Sequence, residues 1–212
     1  MIVVVGTLAY RPAAGGAAGA PAGRAAAIAR AAVTAGAEVQ VVGRIGGDAA
    51  GDALVVALGR EGIGHTALLR DAVHPTPLAA ADGADPATAP TDAPGEAVPH
   101  RPLEPADAEL ALRYLPGARV VVAADPLEPP VLAAVVAGSS FATAHLVAVV
   151  TEPRAPGVPD EATVLVAPRE DPGDGFARLV GAYAAGLDAG TEPGLAFREA
   201  VAATGWERAG EG

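Results

Sequence analysis

The sequence predicts a single α/β domain with a mostly parallel sheet and helices on both faces. Two observations predict it. Short β-branched runs alternate with longer alanine-rich stretches, the pattern of strands joined by crossover helices. Glycines also follow the helical stretches at Gly36 and Gly62, where a left-handed residue closes a helix. A length of 212 residues suits one domain with a genuine core, expected over 1–205 with a tail at 206–212.

The elements follow in order. Ile2–Gly6 is a continuous β-branched run ended by glycine, a buried strand. Residues 11–21 read as a Gly/Ala/Pro loop, Ala22–Ala35 as a helix and Glu38–Gly43 as the next strand. Asp48–Glu61 reads as a helix, with Leu54 and Leu58 on one face. Residues 79–102 are rich in Ala, Pro, Asp and Gly without a period, and read as a second loose loop. A helix at Pro105–Leu115 has proline at its start. A strand at Arg119–Ala124, a helix at Pro129–Ala137 and a strand at His145–Thr151 follow, then a short apolar run at Thr163–Ala167. Two helices finish the chain, Phe176–Ala189 and Glu192–Ala203. Thr191 is the expected N-cap of the second, and Trp206 the anchor of the tail.

Composition removes much chemistry. Alanine, glycine and proline make up nearly half the chain, aromatics are 3%, and the net charge is −11. No Cys excludes disulfides, thiolate nucleophiles and cysteine metal sites. No Lys excludes Walker-A loops, Schiff bases and lysine general bases. An acidic chain without a basic cluster argues against nucleic-acid or anionic-membrane partners. The apolar runs are too short to span a bilayer, and Met1–Tyr10 lacks the basic region of a secretory signal, so the cytoplasm is the expected location. The four histidines have no ligand spacing, so no metal site is expected. Ser139–Ser140 lacks the context of a nucleophile and reads as a turn or helix cap.

The richest segment runs from Ala22 to Leu69: a glycine entry, an alanine helix, a strand, a Gly-rich turn bearing Asp48 and a second helix. It has no G-x-G-x-x-G fingerprint. Spacing alone allows an ordinary αβα unit whose glycines only make turns, with Arg44 and Asp48 fixing the turn. Ala22-Gly23, Gly36-Ala37, Gly43-Arg44-Ile45-Gly46-Gly47-Asp48-Ala49-Ala50-Gly51 and Glu61-Gly62-Ile63 together resemble the N-terminal signature of the ribokinase-like (PfkB) carbohydrate kinases. Ala118–Pro153 resembles that family's next strand–helix–strand unit, and Gly181–Ala203 its C-terminal helix pair.

The resemblance implies transfer of the γ-phosphoryl group of ATP, with Mg, to a sugar or nucleoside hydroxyl. It places substrate-binding roles on Gly23, Arg24, Ala27 and Asp48. It places phosphate binding on Gly173 and Gly175, and the base on Asp174. The chain departs from the family where polar handles belong. No acid follows the first strand in Gly6–Tyr10, and Ala27 stands where the family has Asn. Around 167–181 two alignments stay open. One matches Pro168–Asp174 to the family's Asp-Thr-x-Gly-Ala-Gly-Asp motif, with Asp171 and Glu170 putting negative charge where a phosphate sits. The other matches Ala167–Pro172 to its Pro-Asn-x-x-Glu motif. A reduced C-terminal part and no clear lid complete the picture.

These departures lead to a degenerate member of the family, leaning away from an enzyme: a pseudoenzyme binding a sugar, a nucleoside or another subunit, with a homodimer allowed. The alternative is an active ATP-dependent phosphotransferase with Asp174 as base. A purely structural or interaction role, through apolar surface left uncovered by the missing segments, is the third class.

Overall fold

A computed structural model describes residues 1–13, 18–80, 99–153, 156–169, 171 and 173–206. Most of the 79–102 loop, part of the 11–21 loop, Glu170, Pro172 and nearly all of the expected tail lie outside the described residues.

The chain order is β1 (Ile2–Val5), β2 (Ala9–Arg11), β3 (Ala20–Ala22), α1 (Arg24–Thr34), β4 (Val39–Gly46), α2 (Ala49–Arg60), β5 (Gly64–Asp71), α3 (Pro105–Tyr114), β6 (Val120–Ala123), α4 (Pro129–Phe141), β7 (His145–Val150), β8 (Thr163–Val166), α5 (Gly175–Asp188) and α6 (Pro193–Thr204). Six strands form one parallel sheet in the order β5-β4-β1-β6-β7-β8. The order reverses between β1 and β6, so crossover helices leave them in opposite directions and a crevice opens at their C-terminal ends.

Strand period fixes the two layers. Ile2 and Val4 enter the core beneath α1, α5 and α6, while Val3 and Val5 enter the core beneath α3 and α4. All four are solvent-free, which explains why β1 reads as an unbroken apolar run. With few aromatics, the helices approach on small residues. A side chain at Gly181 of α5 would come within 2.6 Å of the Ile28 carbonyl oxygen and 2.9 Å of the Ala32 backbone nitrogen of α1.

Five expectations need correction. Ser139 and Ser140 lie inside α4 rather than at a turn or cap, and the Ser139 hydroxyl donates to the Val135 carbonyl at 2.8 Å. Residues 11–21 are not simply a loop: Ala9–Arg11 and Ala20–Ala22 pair antiparallel as a ribbon, extended by a Tyr10–Leu78 bridge. β5 has no counterpart in the sequence reading; as an edge strand it has no fully buried residue, so its apolar signal is weak. β4 runs to Gly46, taking in the Gly-rich stretch read as a turn. Glu192, not Thr191, caps α6, its carboxylate accepting from the amides of Gly194 (3.0 Å) and Leu195 (2.9 Å). Pro193 holds its predecessor in extended backbone, and that makes Glu192 the cap. Trp206 packs on Phe176 of α5, with ring centroids 5.6 Å apart. Among the described residues no helix is long and apolar enough to cross a membrane.

The glycines of α2 and α5 give a paired prediction. Gly181→Val pushes against backbone that cannot yield and should cost about 1–3 kcal/mol in urea unfolding. Gly59→Ala meets only His65, at 3.7 Å, and should be neutral or stabilising by up to about 1 kcal/mol.

Candidate functional site

The crevice at the sheet reversal is floored by Gly6 and walled by Asp125, the second residue after β6. A side chain at Gly6 would lie 2.7 Å from the Asp125 carboxylate, so glycine lets that group settle over the end of β1. Asp125 accepts a hydrogen bond from the Thr7 amide at 2.8 Å and faces Arg24 Nη1 at 3.6 Å. Burial raises its pKa, with the Thr7 amide and Arg24 opposing the rise. A carboxylate has about four lone-pair sites, so this one retains capacity for ligand hydroxyls. Sequence reading missed Asp125. The available signal was an acid just past a buried strand at the end of the Val120–Ala124 run.

Arg44 and His100 line the same cavity, about 170 Å³ in volume. Arg44 is held by carboxylates from three directions: Asp107 of α3, Asp71 at the end of β5 (3.4 Å) and Glu104 (3.6 Å). Asp71 in turn accepts from the backbone amides of His74 and Val73, which hold its pKa well below the ordinary value. Burial lowers the pKa of His100, favouring the neutral ring. This cluster ties the ends of β4 and β5 to the start of α3.

Asp48 is occupied. It caps α2, accepting from the Gly51 amide at 2.8 Å, and also accepts from the Thr76 amide (2.9 Å) and hydroxyl (2.6 Å). Burial opposes its charge, but these hydrogen bonds outweigh burial and lower its pKa. Gly46 and Gly51 are required here, since a side chain at either would strike Thr76 or the backbone at 2.3–2.9 Å. Gly23 has φ 90° at the start of α1, a conformation that favours glycine. Arg24 follows as the first residue of that helix and turns to Asp125.

The start of α5 is arranged differently. Asp174 is exposed, with φ 56° and no side-chain cap bond, and lines a groove between α1, α5 and α6 together with Ala27 and Arg178. Asp171 is seated on the helix end: its two oxygens accept from the amides of Phe176 (2.8 Å) and Ala177 (3.1 Å). Gly173 is exposed with φ 74°, and its carbonyl accepts from Arg178 Nη1 at 2.6 Å. Gly175 sits beside Trp206. The predicted residues therefore divide. Arg24 joins Asp125 over β1, Asp48 serves α2 and Thr76, and Asp174 with Ala27 faces the outer groove. β8 pairs with β7 and leads directly into α5, so Ala167 follows a sheet strand and Asp171 precedes the helix.

These residues do not fit a nucleotide phosphate. The amides at the α5 end already face a carboxylate, and two acidic residues flank that end. Among the described residues no group of His, Asp and Glu could hold a metal ion.

Comparison with known proteins bears on the fold. The pfkB family of carbohydrate kinases matches residues 15–112. No curated protein matches the chain in sequence. Arabidopsis thaliana ribokinase, in a complex with ribose and ATP, superposes with a TM-score of 0.66 at 14% identity, covering 96% of this chain and 90% of that one. A PfkB protein from Polaromonas superposes at 0.52 and 17% identity, covering 86% of this chain and 63% of that one. An uncharacterized sugar kinase from Pyrococcus horikoshii superposes at 0.50 and 15% identity, covering 71% of this chain; the chain spans 53% of its length. The resemblance read from the sequence agrees with the family model over residues 15–112, and the fold is ribokinase-like α/β.

Asp48 gives a pH prediction. Its pKa is lower in the folded state, so its contribution is complete above the ordinary carboxylate value near 3.8 and is lost as pH falls through the folded value. In unfolding measurements from pH 6 to pH 2, wild type should lose more stability than Asp48→Asn. Equal pH slopes would contradict this.

Proposed function

We propose that this chain, ribokinase-like in fold and pfkB-like over residues 15–112, is a non-catalytic protein that binds a small hydroxylated molecule at the crevice over β1 and β6. The observation that carries the loss of catalysis is Asp171 on the amides of Phe176 and Ala177. Phosphoryl transfer depends on positioning and electrostatic stabilisation of the transferring group. A fixed carboxylate at that helix end contributes neither, and repels a phosphate. Asp174 turns to the outer groove with Ala27, while the acceptor suited to substrate hydroxyls, Asp125, stands over β1.

Binding is supported by the surroundings of Asp125. Asp125 is partly buried, accepts one hydrogen bond from Thr7, and faces a cation that steadies its charge. The crevice lies where ligands enter open parallel sheets. The fold match to an Arabidopsis ribokinase solved with ribose and ATP supports a sugar as ligand, and a neutral sugar or nucleoside suits a crevice whose arginines are already paired with carboxylates.

Thermal unfolding against a panel of pentoses, hexoses and nucleosides tests the reading, because a ligand bound only by the native state raises stability by mass action. A subset should raise Tm, and Asp125→Ala should remove the rise, while millimolar Mg-ATP should give none. A coupled ADP-release assay over the same panel should show no turnover. Turnover abolished by Asp174→Ala would overturn the proposal.

A further inference from the structure

Two cavities meet above the end of β6, and Asp125, Pro126 and Leu127 line both. They differ in chemistry. The first is the polar crevice of about 170 Å³, bounded by Thr7, Arg44, His100 and Asp125. The second, about 270 Å³, runs along the ends of β6 and β7 between Leu132, Val149, Pro156 and Val158. Small-molecule sites usually occupy about 300–1,000 Å³. Neither cavity alone reaches that range.

We infer that the two cavities form one bipartite site for a neutral glycoside, with its sugar hydroxyls on Asp125 and its aryl or alkyl aglycone between Leu132 and Val158. The inference rests on the binding reading above and specifies its ligand. Three observations carry it. The shared wall makes the polar and apolar ends neighbours, as a ligand with both characters requires. Arg44, nine-tenths buried, lines the polar end and is fixed there by Asp71 and Asp107.

The third observation is charge. The terminal nitrogens of Arg44 are matched to Asp71 and Asp107, and Arg24 to Asp125, so these cations are already answered by carboxylates. A phosphorylated sugar would enter a region with acidic groups in excess, whereas an uncharged glycoside would not. The apolar end is lined by aliphatic and proline carbons with Thr151 and Glu152 at its rim, which suits an aglycone more than a second sugar ring.

Isothermal titration with matched methyl and p-nitrophenyl β-glycosides of ribose, glucose and galactose tests the inference. For the sugar that binds, the p-nitrophenyl glycoside should bind at least about tenfold more tightly than the methyl glycoside, from apolar area removed from water. Val158→Asp, with Tm unchanged, should erase that gain and leave the methyl glycoside unaffected; Asp125→Asn should weaken both. Equal affinity of the two glycosides overturns the bipartite site while leaving the binding reading intact. A gain that survives Val158→Asp places the aglycone elsewhere and also overturns it. Failure of every glycoside and free sugar to bind overturns both.

Discussion

The structure depends on the complete burial of β1 between β4 and β6. Ile2–Val5 is solvent-free on both faces and hydrogen-bonded along both edges. Burying a strand this way demands helices above and below, and parallel pairing demands crossovers that supply them. Since the crossovers leave β1 and β6 in opposite directions, the ends of these two strands are left uncovered. Gly6, Thr7 and Asp125 occupy that gap. The crevice is thus a consequence of how the core is closed rather than a feature added to it.

The alanine-rich composition acts through the same constraint. Helices with small side chains can lie close together, and α1 meets α5 at Ile28, Ala31 and Ala32 across Gly181. That contact aligns the beginnings of α1 and α5 at the same end of the sheet, near the crevice. In a phosphotransferase this would set substrate and phosphate side by side. Here the α5 end holds Asp171 instead, while Arg24 at the α1 end faces Asp125.

Legibility in the sequence followed burial. Strands buried on both faces, such as Val120–Ala123, announce themselves as apolar runs, and helices closed by left-handed glycines announce their ends. β5 did not, because an edge strand half-covered by helices needs no unbroken apolar run. The β2–β3 ribbon did not either: its strands have three residues each and include Pro21. Spacing made legible that Asp48 opens the helix α2. Asp48 proved to be bound to Thr76, a partner 28 residues away that spacing could not reveal.

The sequence by itself determined the fold class, the family resemblance of the front half and the absence of thiol and lysine chemistry, since these follow from local periodicity, motif spacing and composition. Only the tertiary structure decided what the carboxylates do. Asp125, Asp171 and Asp174 are equivalent in composition, yet one stands over β1 facing Arg24, one caps α5, and one turns to solvent. Their roles depend on which amides and cations the fold brings within about 3–4 Å, where charge-assisted hydrogen bonds form, and those partners lie on other elements of the chain.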